Sequence, residues 1–539
     1  MSQFPAFFKR LWAYTVRWVS VLGRFCFFVA GAVATAWLFV WSYPSYSHSF
    51  FAWFALAPFI LCISKIRGFK SAVFYSWLTG ILCNAGLLSW IYYTCVHGGG
   101  MSTIAALGAW LGLAALLAVQ FAIFGGGCYF LKKTGFFFPL LAACGWVALE
   151  WLHQTIAFYG LGFPWVMLGY TQWNVPEVLY LASYTGVYGI SFILAFTGAC
   201  VGWGFALPGI RQGLWQFFAG TLLFACVFGF GKYQTDRRLA WEERGRPQSL
   251  LNVQAALLQP NIDQYKKWTP EYEQEIRQTL QQMGNSLAGQ SIYLAVWPES
   301  VVPDSLNEEN SFNLFAGIGQ KSGAYQILGA NIFEENRQYV GAYLMAPQTA
   351  DLSSYRKVKL VPFGEFIPLE SLVRKITANL EVMGSLGAFT PGDLTQPLLE
   401  AGGIKLGTTV CYESIFPQLW RAQRKAGAQL FVNITNDAWF FQTAAPYQHL
   451  AVNVLRAVEN GIPVLRAANT GFSAYIDAHG VMRAQSGLFT QEILTASVPL
   501  SVRDKETFYT HWGDWFAWVC ALVFFTIGIS TIVFFYEEY

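Results

Sequence analysis

Three residues stand where short apolar runs end, and their types suit nucleophilic catalysis by a thiol. Glu299 follows the run YLAVWP, Lys357 lies in SYRKVKLVPFGEFIP, and Cys411 closes GTTV and precedes YESIFP. A thiolate is a strong nucleophile, but a free thiol needs help to become one. A Cys–His pair is the commonest way to provide it. Only His449 and His479 fall clearly inside this part of the chain, and His449 sits in a helical pattern that suits a structural role. A Glu with a Lys can do the same work. The carboxylate takes the thiol proton, and the ammonium stabilises first the thiolate and then the oxyanion.

Each residue alone also has a plain reading. Of the ten cysteines, nine lie in or beside long apolar runs, and Cys411 stands apart from them. It is either a buried hydrophobe or a reactive thiol. A single Glu or Lys is ordinarily a solvated surface group. A Glu, a Lys and a Cys each at the end of an apolar run are harder to place by accident. A nucleophile at a strand-to-helix turn is exposed, with backbone N–H groups converging beside it.

The elements that would position these residues follow from the apolar pattern. Runs at 253–259, 291–297, 325–333, 339–346, 404–411, 429–434, 463–468, 472–477 and 493–499 are short and rich in β-branched and aromatic residues, which predicts strands. Helical patterns cover 270–288, with a Pro at its start and acids in its first turn, and 447–460, which ends before Gly461. Alternating strands and helices predict an α/β domain of layered sheets.

The rest of the chain is far more apolar. Of 539 residues, 55% are hydrophobic and 12% charged, where a soluble domain carries about 25% charged. This excludes disorder. A net charge of +3 gives no basic surface of the kind nucleic acid needs. Residues 25–43 are uncharged and long enough to span a bilayer, which takes about 20 residues. Further runs lie at 50–64, 71–94, 103–131, 136–152, 186–208, 214–231 and 514–535, which predicts eight spans. The run at 50–64 is the weakest, being short and carrying Pro58. Alternate loops hold ten Lys and Arg against none, counting Lys9, Arg10, Arg17, Arg24, Lys65, Arg67, Lys70, Lys132, Lys133 and Arg211. Cytoplasmic loops carry this excess, so the N-terminus is expected inside the cell and the long region after span seven outside. The expected organisation is a basic cytoplasmic tail (1–24), a membrane domain (25–231), an extracytoplasmic domain (232–513), an eighth span (514–535) and a short cytoplasmic end (536–539). Glu150, near the outer end of span five, is either functional at that depth or a group snorkelling to the interface.

The motifs themselves resemble a known family. WPES with Glu299, YRKVKLVPFGE with Lys357 and TTVCYESIFP with Cys411 resemble the Glu-Lys-Cys triad of the nitrilase, or carbon-nitrogen hydrolase, superfamily. With QPNI at 259–262, NITNDAWF at 433–440 and GFPWVMLGY at 162–170, the pattern is similar to the membrane-embedded branch, the apolipoprotein N-acyltransferases. The resemblance implies a polytopic α-helical membrane bundle joined to a periplasmic nitrilase-like α-β-β-α sandwich, multi-pass in a bacterial inner membrane and monomeric. It implies a ping-pong reaction. A phospholipid donates an acyl chain to the cysteine as a thioester, and the acceptor is the α-amine of a diacylglyceryl-cysteine at a lipoprotein's N-terminus.

Carried over by position, Cys411 is the nucleophile, Glu299 the general base, and Lys357 the oxyanion partner with the backbone N–H of Tyr412. Glu365 and Glu413 match acids that support the triad and position the amine. Trp268, Tyr412 and Trp439 match aromatics near the site, and 369–390 corresponds to a lid over the acyl pocket. Lys359 is the neighbouring alternative to Lys357; the family's spacing of Lys, two residues, then LVPFGE favours Lys357. A thioester keeps the acyl group reactive, so neither ATP nor a metal is implied, and no HExxH or CxxC spacing occurs. Two alternatives stand beside this reading. A membrane-tethered nitrilase-type amidase would hand the acyl group to water, but soluble amides need no bundle. A transporter with a sensor domain would leave the triad unexplained and shows no paired interrupted half-helices.

Overall fold

The computed structural model describes the chain apart from residues 1–3, 244–250, 268, 303–305, 307, 336, 369–388, 501–505 and 538–539. Trp268 and nearly all of the expected lid therefore lie outside the described residues.

The apolar half is helical. Among the described residues, four stretches are long and apolar enough to cross a bilayer: Val19–Ser42, Thr103–Phe158, Val187–Ala206 and Ile210–Ala240. A fifth counts if Phe69–Leu87 and Trp90–Gly98, bent by 56°, form one span, and shorter apolar helices cover Ser49–Lys65 and Trp515–Gly528. Thr103–Phe158 would be about 84 Å long at 1.5 Å per residue, against a hydrocarbon core of about 30 Å. Gly135 breaks it with φ 61° and ψ −110°, so the stretch is not one straight helix. Pro58, which weakened the run at 50–64, sits in the first turn of the helix Ala57–Lys65, where its missing N–H costs no hydrogen bond. The basic segment expected as a tail instead continues the first helix, which runs Phe4–Ser42.

Among the described residues, twelve strands belong to the other half. They are β1 (Leu251–Gln259), β2 (Leu294–Val296), β3 (Tyr325–Glu334), β4 (Arg337–Met345), β5 (Leu352–Arg356), β6 (Leu399–Ala401), β7 (Ile404–Val410), β8 (Leu430–Thr435), β9 (Val464–Ala468), β10 (Ala474–Ile476), β11 (Met482–Gln485) and β12 (Glu492–Leu500). One sheet runs β12-β1-β2-β3-β4-β5 and the other β11-β10-β9-β8-β7-β6.

Strand periodicity of two sorts the side chains into layers. In β1, Val253, Ala255 and Leu257 join the core shared with the second sheet, while Ala256 and Leu258 face Ile276, Leu280 and Met283 of the helix Glu273–Asn285. In β4, Val340, Ala342 and Leu344 take the first side and Tyr339, Tyr343 and Met345 the second. The shared core continues from the second sheet into the bundle, so the two halves share one apolar interior. Tyr412, Phe440 and His449 of the strand-rich half meet Trp90, Phe163 and Trp165 of the bundle, with Phe163 and Trp165 stacked at 5.5 Å. Gln448 fastens this contact. Its Oε1 accepts from the indoles of Trp165 (2.8 Å) and Trp90 (3.2 Å), and its Nε2 donates to Leu87 O (3.1 Å).

Candidate active site

Glu299, Lys357 and Cys411 all follow strand ends. Glu299 comes three residues after β2, Lys357 directly after β5, and Cys411 directly after β7. Gly329 of β3 makes room for the first loop, since a Cβ there would stand 2.4 Å from Pro298 O and 2.5 Å from Glu299 Cα. Non-glycine residues with left-handed backbone gather around the site: Asn261, Ser300, Phe363, Cys411 (φ 52°) and Phe441. Such positions cost energy, and they persist where surrounding structure fixes them. Cys411 opens a short 3-10 turn, Cys411–Ile415, as the expected strand-to-helix elbow requires.

The Lys357 ammonium sits between two carboxylates, 3.3 Å from Glu299 Oε1 and 2.6 Å from Glu365 Oε1. Glu299 Oε2 accepts from Asn436 N (2.9 Å), and Glu365 Oε2 from Val361 N (2.9 Å). Burial works against the Lys357 charge, but Glu299 and Glu365 outweigh it and hold the ammonium above its ordinary range. Burial raises the Glu365 carboxyl, with Lys357 pulling against it. Burial and the Glu299 carboxylate push the Cys411 thiol up, and Lys357 opposes them. The thiol therefore rests protonated beside a carboxylate that can take its proton.

Lys359 points elsewhere. Its Nζ donates to Phe158 O (2.6 Å) at the end of the helix Phe138–Phe158 and lies 3.7 Å from the centre of the Phe158 ring. The geometry thus places Lys357, not Lys359, among the acids.

Glu413 is buried and spent on main chain. Its Oε1 accepts from Val358 N (2.6 Å) and Lys359 N (3.1 Å), its Oε2 from Val410 N (2.7 Å), and both oxygens face Tyr355 OH at 3.0 and 3.1 Å. It therefore ties the segment after β5 to the end of β7, the two segments that carry Lys357 and Cys411. Tyr412 buries its ring against Phe163 (5.9 Å). Trp439 is 41% exposed and rests on Gly98, with Thr94 Oγ1 donating to its carbonyl (3.0 Å). Glu150 does not snorkel. It is buried and accepts from Trp146 Nε1 (2.9 Å) and Leu168 N (2.8 Å), which pins the GFPWVMLGY segment to its helix.

The structure adds residues that the motifs did not single out. Buried Lys267 has its Nζ 3.5 Å from Glu299 O; burial pulls its ammonium down to about 8, with Glu299 opposing. Asp437 and Arg466 form a buried ion pair at 2.7 Å behind Cys411. Lys267 stood in QYKKW and Asp437 in NITNDAWF, but nothing local distinguished either from its polar neighbours.

Two layered sheets with a Glu–Lys–Cys grouping at their strand ends define a carbon-nitrogen hydrolase domain, here carried on a helical membrane bundle. The family described as carbon-nitrogen hydrolase matches residues 254–505, and the apolipoprotein N-acyltransferase N-terminal domain matches residues 35–200. An apolipoprotein N-acyltransferase from Geobacter metallireducens is 34% identical over 511 residues, covering 91% of this chain and 92% of its own. Apolipoprotein N-acyltransferase 1 of Treponema denticola is 29% identical over 543 residues, covering 93% of this chain and 96% of its own. The Methylococcus capsulatus protein of that name is 32% identical over 465 residues, covering 83% and 85%. The chain belongs to the apolipoprotein N-acyltransferase family. Among solved structures, an amidase from Nesterenkonia sp. AN1 aligns over 46% of this chain and 93% of its own at 22% identity and a TM-score of 0.36.

Proposed function

We propose that this protein N-acylates the N-terminal diacylglyceryl-cysteine of lipoproteins with an acyl chain taken from phospholipid. The observation that carries the reading is Lys357 held between Glu299 and Glu365, with Cys411 on the adjoining elbow. Glu299 takes the Cys411 proton as Sγ attacks the ester carbonyl of the donor. The Lys357 ammonium and the Tyr412 N–H hold the oxyanion. Collapse expels the lysophospholipid alkoxide, which takes the proton from Glu299, and leaves the acyl thioester. The acceptor amine then attacks the thioester carbonyl. Its proton passes through Glu299 to the departing Cys411 thiolate, and an amide is released.

In this reading the bundle makes eight crossings of a bacterial inner membrane. The ten-to-none loop charge asymmetry supports a cytoplasmic N-terminus and a periplasmic 232–513. Two lipid substrates are delivered within the bilayer plane, so a site seated on a membrane bundle suits both. The reading takes the protein to act as a monomer. Trp439, half-exposed against the bundle, lines the substrate entrance; Trp268, outside the described residues, is assigned to substrate binding by the resemblance alone. The lid over the acyl chain that the resemblance assigns to 369–390 falls almost wholly outside the described residues.

The experiment is thioester trapping. Protein in detergent is mixed with acyl-labelled phospholipid and no acceptor, and label on the protein is tested for release by neutral hydroxylamine. Stable, hydroxylamine-labile label that Cys411→Ala loses is the expected result. Free fatty acid without trapped label would make the protein a hydrolase, and absence of both would remove phospholipid as the donor.

A further inference from the structure

Beneath Cys411 lies a buried polar chain that the reaction as written does not use. His449 Nε2 stands 3.0 Å from the Cys411 carbonyl oxygen. His449 Nδ1 is 2.9 Å from Asp437 Oδ1 and 3.1 Å from Arg466 Nη2. Arg466 Nη2 donates to Asp437 Oδ2 (2.7 Å), Arg466 Nη1 to Asn433 Oδ1 (2.6 Å), and Thr435 Oγ1 to Asp437 Oδ1 (2.9 Å). His449, Asp437, Arg466, Asn433 and Thr435 are all fully buried.

The hydrogen on Nε2 follows from its partner. A carbonyl oxygen only accepts, so Nε2 must donate. Nδ1 can then take Arg466 as a donor in the neutral ring, or donate to Asp437 in the charged one. Either way the Nε2–H holds the Cys411 carbonyl. That carbonyl and the Tyr412 N–H belong to one planar trans peptide and point in opposite directions. Fixing the oxygen fixes the N–H. The Tyr412 N–H also stands in the first turn of the helix Cys411–Ile415, where main-chain N–H groups lack partners inside the helix. A hydrogen bond onto the oxygen further polarises the same amide.

We propose that His449 is a positioning residue for the oxyanion. Held by Asp437 and Arg466, it grips the Cys411 carbonyl and so aims the Tyr412 N–H at the carbonyl of the reacting ester. This rests on Cys411 as the acyl-carrying nucleophile.

The test separates two reactions of the same thiol. Alkylation by iodoacetamide needs a nucleophilic sulfur but creates no oxyanion, whereas acylation by a phospholipid ester creates one. Both are read at Cys411 by peptide mass in full-length protein in detergent, for wild type, His449→Leu and His449→Gln. The Leu variant is expected to alkylate at the wild-type rate and acylate about 10²–10³-fold more slowly, the loss typical of one oxyanion donor, with the KM for phospholipid unchanged. The Gln variant, whose amide places an N–H where Nε2 stands, is expected to recover most of the acylation rate. The proposal is overturned if acylation and alkylation fall together, if neither falls, or if Gln is as slow as Leu. It is equally overturned if Cys411 of the Leu variant alkylates as it does in denatured protein, which would assign His449 to the fold alone. Failure of the function reading would look different, because wild-type protein would then alkylate at Cys411 without ever acquiring an acyl group.

Discussion

Replacing Glu413 with Gln tests how the site is held together. Glu413 accepts three main-chain N–H groups and the Tyr355 hydroxyl, and these donors come from both sheets. An amide keeps one oxygen. If that oxygen takes the Oε1 place, the NH₂ faces the N–H of Val410; if it takes the Oε2 place, the NH₂ faces the N–H groups of Val358 and Lys359. The better choice still orphans one buried donor, at about 1–3 kcal/mol, and weakens the remaining bonds by removing their charge, for about 2–4 kcal/mol in all. In a domain of this size each kcal/mol moves the thermal midpoint by about 2–4 °C, so the catalytic half should melt roughly 5–15 °C lower. Glu413→Ala orphans all three N–H groups, a loss of about 3–9 kcal/mol that approaches the whole stability of a typical domain, so it should not accumulate as folded protein. Single-turnover acylation should slow in the Gln variant with little change in KM, because the tie sets the spacing of Lys357 and Cys411 and leaves lipid binding alone. An unchanged melting temperature would refute the reasoning. A defect confined to the amine step would refute it differently, by placing Glu413 at the acceptor.

Other perturbations bear on the charges. Glu299→Gln should cut acylation by about 10²–10⁴-fold, the usual worth of a general base, yet speed alkylation of Cys411 at neutral pH, because a charge that holds the thiol up is gone; equal loss of both reactions would contradict the base assignment. Lys357→Ala should lose far more activity than Lys359→Ala, and the reverse ranking would mean that the wrong lysine has been assigned. Arg466 and His449 overcome burial and hold the Asp437 carboxyl at about 2. Its folded value therefore lies below the unfolded one, near 3.9, so it contributes stability above pH 4 that is lost as pH falls from about 4 to 2. Stability followed through that window should decline less steeply in Asp437→Asn than in wild type, and parallel slopes would argue that the ion pair is not formed.

Most of this architecture was legible because its signals are local. Strands such as β1 and β8 announce themselves as short β-branched runs, and Glu299, Lys357 and Cys411 stand where such runs stop. What escaped has weaker local signals. β5 (LSSYR) is mostly polar, and β6 has only three residues. The helices Glu309–Ser322 and Pro417–Lys425 bury only part of their surface and carry no long apolar run. The run at 103–131 is covered by two successive helices, Thr103–Leu117 and Val119–Leu131, joined through Ala118 in helical conformation, so its apolar composition continues unbroken. The first helix reaches back to Phe4 because aromatic residues separate its basic ones, so a charged segment remained compatible with helix. The chain from His449 through Asp437 to Arg466 joins residues far apart in sequence, and only the meeting of β8, β9 and the helix Ala445–Asn460 brings them within bonding distance.

The aromatic contact beneath Tyr412 also bears on biogenesis. Trp90, Phe163 and Trp165 are translated well before Cys411 and His449, and N-terminal regions fold first during synthesis. The Cys411 elbow thus emerges after the aromatic surface it packs on, with Trp90 and Trp165 already made when Gln448 arrives. A nascent chain whose bundle is delayed at the insertion machinery would complete its sheets with Tyr412 and Phe440 bare to water. The seating of the Cys411 elbow is in this way coupled to the bundle surface against which Tyr412 and His449 pack.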